Sequence, residues 1–272
     1  MGQFTSIIDH NTALKNVEIP RSDKKRVHLV GVKARTSADI KLTHGKNIEV
    51  AIKSSPFNGP KGIWVIDIKG IENGGAILKA ELDSKPVASL DIKIFTKINI
   101  SLGLENNEQG MLTRLFLAES INPGNGLVYD EGQSKTSMLW MRKVIENRLA
   151  HKTPNIFGAV KPIGQSKYTI YDIVKAKNQF HGFEKYPEIN SSIKLNLTSF
   201  LAIANNYNHV KRELYANFIA NAKSAASKNA LRDFIDTSPK GLYGWRTKGS
   251  SAPGGDFKKY KDFAGQTFYT LK

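Results

Sequence analysis

The sequence predicts an α+β protein of two domains, an N-terminal immunoglobulin-like β-sandwich followed by a mainly α-helical domain. Apolar and polar residues alternate in short segments through the first hundred residues, which is the period-two pattern of half-buried strands. From residue 108 onward the apolar residues recur at helical spacing instead. Hydrophobic residues make up 40% of the 272 residues, which is enough for packed cores. We therefore place the domains at residues 1–103 and 104–272.

Six segments of the first domain are predicted strands: "RVHLVGVKA", "DIKLTHG", "NIEVAIKSS", "GIWVIDIKGI", "GAILKAEL" and "VASLDIKIFTKINI". Turn-forming residues separate them, as in "HGKN", "PFNGPKG" and "ENGG". Short strands at this spacing are typical of an immunoglobulin-like sandwich. The preceding segment "IPRSDKKR" is expected to be a solvated, basic lead-in.

In the second domain the spacing predicts helices over residues 108–120, 137–150 and 169–178. Ser137 is the expected N-cap of the second helix. A further helical stretch over residues 198–236 is expected to break once. The segment "YGWRTKGSSAPGGDF" predicts a long loop because it is rich in glycine, serine and proline. The final "GQTFYTL" predicts a short extended piece.

The charge favours polyanionic partners. There are 40 Lys and Arg against 24 Asp and Glu, a net charge of +16. Such a field attracts nucleic acid, an anionic membrane surface, or a bacterial wall rich in carboxylates and phosphates. We expect no membrane insertion, because the sequence has no apolar run long enough to span a bilayer. The N-terminal segment lacks the layout of a secretory signal.

The sequence lacks the residues that several classes of chemistry require. Without cysteine there is no disulfide, thiolate metal site or cysteine nucleophile. The six histidines are scattered and form neither an H-x-x-x-H pair nor an H-E-x-x-H motif. No glycine-rich phosphate loop is present. We therefore expect neither a metal nor a cofactor.

The segment "LFLAESINPGNG" places a lone glutamate, Glu119, at the end of an apolar helix face. It shares that face with Leu112, Leu115 and Phe116. Burial of a carboxylate raises its pKa, and a carboxylic acid that is still protonated near neutral pH can donate a proton to a leaving oxygen. The helix ends at once because Pro123 and two glycines follow. Glu119 is therefore expected at the mouth of the core, within reach of a substrate.

The segments after Glu119 follow a particular order: a glycine-rich polar loop, a helix ending in "NRL", then "FGA", another helix, and "QFHGF". This order resembles bacterial cell-wall hydrolases with a lysozyme-like fold. In the spore-cortex-lytic type, a helix bearing Glu is followed by a V-x-N-R-[LV] helix and a Gln-Phe motif. It is also similar to the lysozyme-like toxin domains of type VI secretion effectors. The resemblance covers roughly residues 108–190, or continues from there to the C-terminus, and excludes the β-rich first hundred.

This resemblance implies a muramidase that cleaves the β-1,4 bond between N-acetylmuramic acid and N-acetylglucosamine in peptidoglycan glycan strands. Glu119 would be the general acid. Asn147 and Arg148 would brace the catalytic helix, and Gln179 and Phe180 would line the saccharide groove.

The chemistry of the residues is compatible with this implied groove. The amide of Gln179 offers a donor and an acceptor to acetamide and hydroxyl groups. Flat apolar faces for sugar rings are expected from Phe180 and Tyr186. The glycine-rich C-terminal segment adds Trp245 and Tyr269 as further candidates for substrate binding.

A glycosidase normally uses a second carboxylate, roughly 5–5.5 Å from the first in retaining enzymes and roughly 6.5–9.5 Å in inverting ones. The loop after Glu119 offers Asp130 and Glu131, and we favour Asp130. A mechanism with one acid stays open. In that case Glu119 acts first as acid and then as base, and the muramic 6-hydroxyl attacks internally, as in lytic transglycosylases.

The resemblance to effectors also implies a biological setting. The protein would leave its producer without a signal peptide and act in the periplasm of a target cell as an antibacterial toxin. It would have a cognate immunity protein and a secretion-spike carrier. Release in the manner of a phage lysin fits the same sequence, and the first domain is interpreted as a targeting or delivery module.

Nucleic-acid binding is the alternative from another class. The segments "SDKKRVH", "HVKR" and "FKKYKDF" place basic residues beside apolar or aromatic ones. However, no helix-turn-helix or RNA-recognition signature is present, and the basic residues are dispersed along the chain. Peptidoglycan is therefore the favoured polyanionic partner.

Overall fold

A computed structural model describes residues 2–125 and 128–272. Gly126, one of the two glycines expected to end the helix after Glu119, lies outside the described residues, as does Leu127. The chain divides into two units, Met1–Ile98 and Asn99–Lys272. This division falls a few residues before the boundary placed at residue 103 from the sequence.

Residues 2–98 form eight strands: β1 (Gln3–Thr5), β2 (Asn16–Pro20), β3 (Lys24–Val30), β4 (Ile40–His44), β5 (Ile48–Ser54), β6 (Ile63–Gly70), β7 (Gly74–Leu82) and β8 (Lys85–Phe95). One four-stranded sheet has the order β1-β3-β6-β5, and the other has the order β2-β8-β7-β4. The sequence did not predict β1 or β2. The segment "IPRSDKKR" is not a solvated lead-in, since it supplies the end of β2 and the start of β3.

The two sheets share one apolar core, so the first unit is a β-sandwich. Leu29 and Ile66 from one sheet and Leu78 and Leu90 from the other are fully buried in this core. Exposed and buried residues alternate along β7 and β8, as the period-two sequence pattern predicts. β2 pairs with β8 in parallel.

The second unit contains helices α1 (Glu108–Glu119), α2 (Glu131–Ala150), α3 (Ile170–Val174), α4 (Ser191–Asn205) and α5 (Arg212–Ala225), together with a short 3-10 helix over Pro154–Phe157. The sequence placed the start of α2 too late. Its N-cap is Asp130, whose side chain accepts a hydrogen bond from the backbone N–H of Gln133 at 2.7 Å. Ser137, the expected N-cap, is buried inside the helix.

The C-terminal segment is a sheet, although the sequence predicted mostly loop. Strands β9 (Gly244–Thr247), β10 (Phe257–Phe263) and β11 (Gln266–Leu271) form an antiparallel sheet of order β10-β11-β9. The second unit is therefore built from helices and a small sheet. Glycine, lysine and arginine in β9 and β10 mask the apolar alternation that marks a strand.

Helix α1 runs through the core of the second unit. Every residue from Gly110 to Leu117 is buried, so the helix is enclosed on more than the one face that its sequence pattern indicated. It packs against α4 and α5. Its last residue, Glu119, therefore lies where the core ends. In the described ranges none of the helices has the length and apolar character of a bilayer span.

The start of α1 lies close to the backbone of the preceding segment, so a substitution there tests how tightly the helix is packed. A Cβ at Gly110 would overlap the carbonyl oxygen of Leu104. We expect Gly110→Ala to lower the free energy of unfolding by about 1–3 kcal/mol, measured by denaturant unfolding. Gly132→Ala is the matched control, because a Cβ there meets its nearest atom at an ordinary 3.5 Å. A Gly110→Ala midpoint equal to that of the wild type would contradict this packing.

Candidate active site

The residues with candidate chemistry meet in a cleft of about 670 Å³ in the second unit. The C-terminal end of α1 contributes Glu119, and the end of α2 contributes Arg148. The segment from Asn178 to Phe180, with His181 and Glu184, forms one wall. Strand β9 and the loop that follows it form another. A volume of this size is typical of a small-molecule site.

Two hydrogen bonds fix the end of α1 against the sheet. The indole N–H of Trp245 donates to Oε2 of Glu119 at 3.1 Å. The side-chain amide of Gln266 donates to the backbone carbonyl oxygen of Glu119 at 2.6 Å. Because Trp245 lies on β9 and Gln266 on β11, the sheet positions both the carboxylate and the backbone of this residue.

Burial raises the pKa of Glu119 above its ordinary value. The hydrogen bond from Trp245 and the nearby imidazole of His181 act in the opposite direction and are weaker causes. Glu119 is half-buried: the residue borders the open cleft, while the protein packed around its carboxyl group removes water from it. A raised pKa of this origin keeps the carboxylic acid protonated to higher pH.

Arg148 joins α2 to two walls of the cleft. Its Nε donates to the carbonyl oxygen of Tyr243 at 2.7 Å, and its Nη1 donates to Oε1 of Gln179 at 3.0 Å. The guanidinium also lies over the rings of Phe157 and Phe180, 5.1 and 5.5 Å from their centroids. Burial lowers the pKa of Arg148 to about 9, so the group stays charged at neutral pH.

Asn147 acts on the same segment as Arg148, since its side-chain amide donates to the carbonyl oxygen of Leu242 at 2.9 Å. The resemblance implied that this pair braces the catalytic helix. In the structure the two residues instead fix the chain that leads into β9. The strand that follows this segment carries Trp245, which donates to Glu119.

Three of the predicted substrate-binding residues line the cleft. Gln179 is exposed in it. Phe180 and Trp245 are largely buried and pack against one another, with ring centroids 4.9 Å apart. Only the parts of these rings that border the cleft can contact a ligand.

The other two predicted substrate-binding residues belong to the core. Tyr186 is stacked on Phe183 with an angle of 5° between the rings, and its hydroxyl donates to the carbonyl oxygen of Glu105. Tyr269 is buried in β11, with its ring edge-on to Phe257. Neither tyrosine is among the residues that line the cleft. Spacing along the chain could not distinguish buried aromatic residues from lining ones.

Asp130 does not take the position expected of a second carboxylate. Its carboxylate caps α2, and the residue borders a small separate pocket together with Ser120 and Ile121. This geometry corrects the expectation that Asp130 is the second carboxylate beside Glu119, because Asp130 does not line the cleft. The helix needs an acceptor at its N-terminus, and Asp130 supplies it.

Glu184 is the cleft carboxylate that the sequence reasoning missed. It lines the cleft, and its Oε2 accepts a hydrogen bond from the backbone N–H of Gly182 at 2.8 Å. His181 lines the same wall. A signal was present, because both residues lie in the segment "QFHGFEKYP" that carries the Gln-Phe motif. Within the described residues, no group of three His, Asp or Glu side chains is arranged to hold a metal ion.

No protein-family model matches the chain, and no curated protein matches it. Among solved structures, it is similar to the Lin-41 filamin domain at 13% identity, covering 34% of this chain and 91% of that one, with a TM-score of 0.26. Domains 4 and 5 of the S-layer protein SbsC match at 11% identity over 30% of this chain, with a TM-score of 0.25. The match spans 48% of that S-layer structure. Likenesses at this level carry no argument about fold or function.

The raised pKa of Glu119 predicts a pH-dependent effect on stability. Folding disfavours the ionised carboxylate, so the wild type loses stability as pH rises above the ordinary value of 4.5 and through the raised folded-state pKa. Glutamine cannot ionise. We expect Glu119→Gln to raise the melting temperature at about pH 8 and to change it little at about pH 4.

Thermal unfolding followed by circular dichroism at the two pH values measures this difference. Glu188→Gln, at an exposed position of the same unit, controls for the general effect of removing a carboxylate. If the melting temperatures of Glu119→Gln and the wild type differ by the same amount at both pH values, the inferred cost of burying the ionised carboxylate is contradicted.

Proposed function

We propose that the second unit is a lysozyme-like peptidoglycan glycosidase, a muramidase that cleaves the β-1,4 bond between N-acetylmuramic acid and N-acetylglucosamine. One observation carries the proposal. Glu119 ends a buried helix, holds a carboxyl group whose pKa is raised by burial, and borders a cleft of sugar-binding size. The order of motifs around it in the sequence adds the family resemblance.

In the proposed reaction the protonated Glu119 donates its proton to the glycosidic oxygen as the bond to the anomeric carbon breaks. The carboxylate that remains is negatively charged. The indole N–H of Trp245 already lies 3.1 Å from its Oε2, and a hydrogen bond to an ionised acceptor is stronger than one to a neutral acceptor. Trp245 therefore stabilises the product of the proton transfer.

Glu184 is the proposed second carboxylate, in place of Asp130, because it borders the same cleft as Glu119. Its negative charge would stabilise the positive charge that develops on the sugar ring, or it would activate the attacking water. Hydrolysis then adds water at the anomeric carbon. In the alternative reaction, that of a lytic transglycosylase, the muramic 6-hydroxyl attacks the same carbon.

We further propose that the protein is an antibacterial effector that acts in the periplasm of a target cell. The first unit would be an immunoglobulin-like targeting or delivery module that docks on a secretion-spike carrier, and a cognate immunity protein would protect the producer. The family resemblance supports this setting. The separate core of the sandwich is compatible with an independent module.

The first test is the clearing of a turbid peptidoglycan suspension by the purified full chain. We expect Glu119→Gln to reduce the rate by about 100- to 10,000-fold, because loss of a general acid typically costs this much. Glu188→Gln is the matched control and should clear at the wild-type rate. Retained clearing by Glu119→Gln would exclude Glu119 as the acid. Salt-sensitive retention of duplex DNA without any clearing would favour the nucleic-acid alternative instead.

The second test separates the two candidate partners of Glu119. We expect Glu184→Gln to lower the rate by about 100-fold or more, as for loss of an acid–base group. Asp130→Ala should keep the activity and lose about 0.5–2 kcal/mol of stability, because it removes only a helix cap. Mass spectrometry of wild-type products should show reducing ends. Anhydro ends, together with an active Glu184→Gln, would instead indicate a transglycosylase with one acid.

A further inference from the structure

The cleft contains a buried positive charge without a negative partner. Arg148 is 5% exposed, and both of its hydrogen-bond acceptors, the carbonyl of Tyr243 and the amide of Gln179, are uncharged. Across residues 2–125 and 128–272, the ion pairs formed within 4.0 Å do not include Arg148. The aromatic rings beside it contribute cation–π attraction, but they leave its charge unneutralised.

The buried guanidinium borders the cleft. Nε and Nη1 are used in the hydrogen bonds to the protein. The remaining nitrogen, Nη2, faces Gly244, where a Cβ would lie 3.6 Å from it. Gly244 and Phe257 both line the cleft, and the ring of Phe257 fills the space next to Gly244, 3.1 Å from the position of a Cβ. A ligand oxygen in the cleft that reaches Nη2 would meet a fixed, charged donor.

Another cleft residue extends this positive region. Arg246, an exposed residue two positions after Gly244, lines the same cleft and adds a second positive charge to it. The opposing carboxylates are Glu119 and Glu184. Because Glu119 is the acid that must carry a proton before the reaction, the cleft has a positive balance in the state that binds substrate.

We propose that Arg148 and Arg246 form a carboxylate subsite that makes the cleft select acidic muramic sugars over neutral N-acetylglucosamine polymers. This inference rests on the proposed glycosidase function and specifies its substrate class. A guanidinium binds a carboxylate with strong, directional hydrogen bonds, and a ligand carboxylate would neutralise a charge that the protein leaves unpaired. In peptidoglycan this carboxylate comes from the lactyl group of muramic acid or from the attached peptide.

Binding measurements on the full chain test the proposal. The probes are N-acetylmuramic acid, its methyl ester, which removes the charge and adds one methyl group, and muramyl dipeptide, in which the peptide supplies the carboxylate. Fluorescence of Trp245, which lines the cleft, reports occupancy. We expect the acid to bind about tenfold or more tightly than the ester, as expected for a charge-assisted hydrogen bond. Tighter binding of the dipeptide than of the free acid would identify the peptide as the source of the bound carboxylate. Tighter binding of the free acid would identify the lactyl group as the source.

Two variants assign the preference to the arginines. We expect Arg246→Gln and Arg148→Gln each to reduce the ratio of ester to acid dissociation constants by about threefold or more. Arg232→Gln, at a surface position paired with Asp233, is the matched control and should keep the wild-type ratio. Arg246→Gln keeps the test valid if Arg148→Gln fails to fold, because Arg246 is exposed.

Equal affinity for acid and ester would overturn the carboxylate subsite, and so would an acid preference that Arg246→Gln leaves unchanged. The glycosidase proposal is judged separately, by cleavage of peptidoglycan. Cleavage without acid preference overturns the subsite alone. Acid preference that depends on the arginines, without any cleavage, supports the subsite and overturns the glycosidase.

Discussion

The hydrogen bond from Trp245 to Glu119 is the contact on which the geometry of the cleft depends. It joins the end of the buried helix α1 to the small C-terminal sheet. Gln266 holds the backbone at the same point, and Arg148 fixes the chain that enters β9. These contacts come from four separate segments of the chain. A shift in any one of them would move the carboxyl group or its donor, because each is held by only a few directional bonds.

The charged groups of this site lower the stability of the fold. Burial of Glu119 costs free energy whenever its carboxyl group is ionised, and the indole donor offsets only part of that cost. Arg148 adds a second buried charge that the protein does not neutralise with a carboxylate. Groups of this kind cluster at functional sites, where reactivity is retained at the expense of stability. The apolar core around α1, with Leu112, Leu115 and Phe116 fully buried, is where the compensating stability arises.

Local patterns were sufficient for much of the fold. The period-two alternation identified the sandwich core, and the helical spacing placed α1 almost to the residue. The position of Glu119 at the end of an apolar helix face followed from the same spacing, and it was enough to identify a candidate acid. The predictions from sequence were wrong where the same local pattern is compatible with more than one structure. Ser137 and Asp130 are both good helix caps, and the charged residues of β10 hide its alternation.

The sequence by itself determined that a carboxyl group would stand at the end of a buried helix, because helical periodicity is a property of neighbouring residues. Tertiary structure alone decided which groups face it. Trp245 lies 126 positions from Glu119, and no local spacing relates the two. The same holds for Glu184, which enters the cleft while Tyr186, two positions later, turns into the core. Which side chains face the cleft depends on how distant segments pack against one another, and only the folded chain defines that packing.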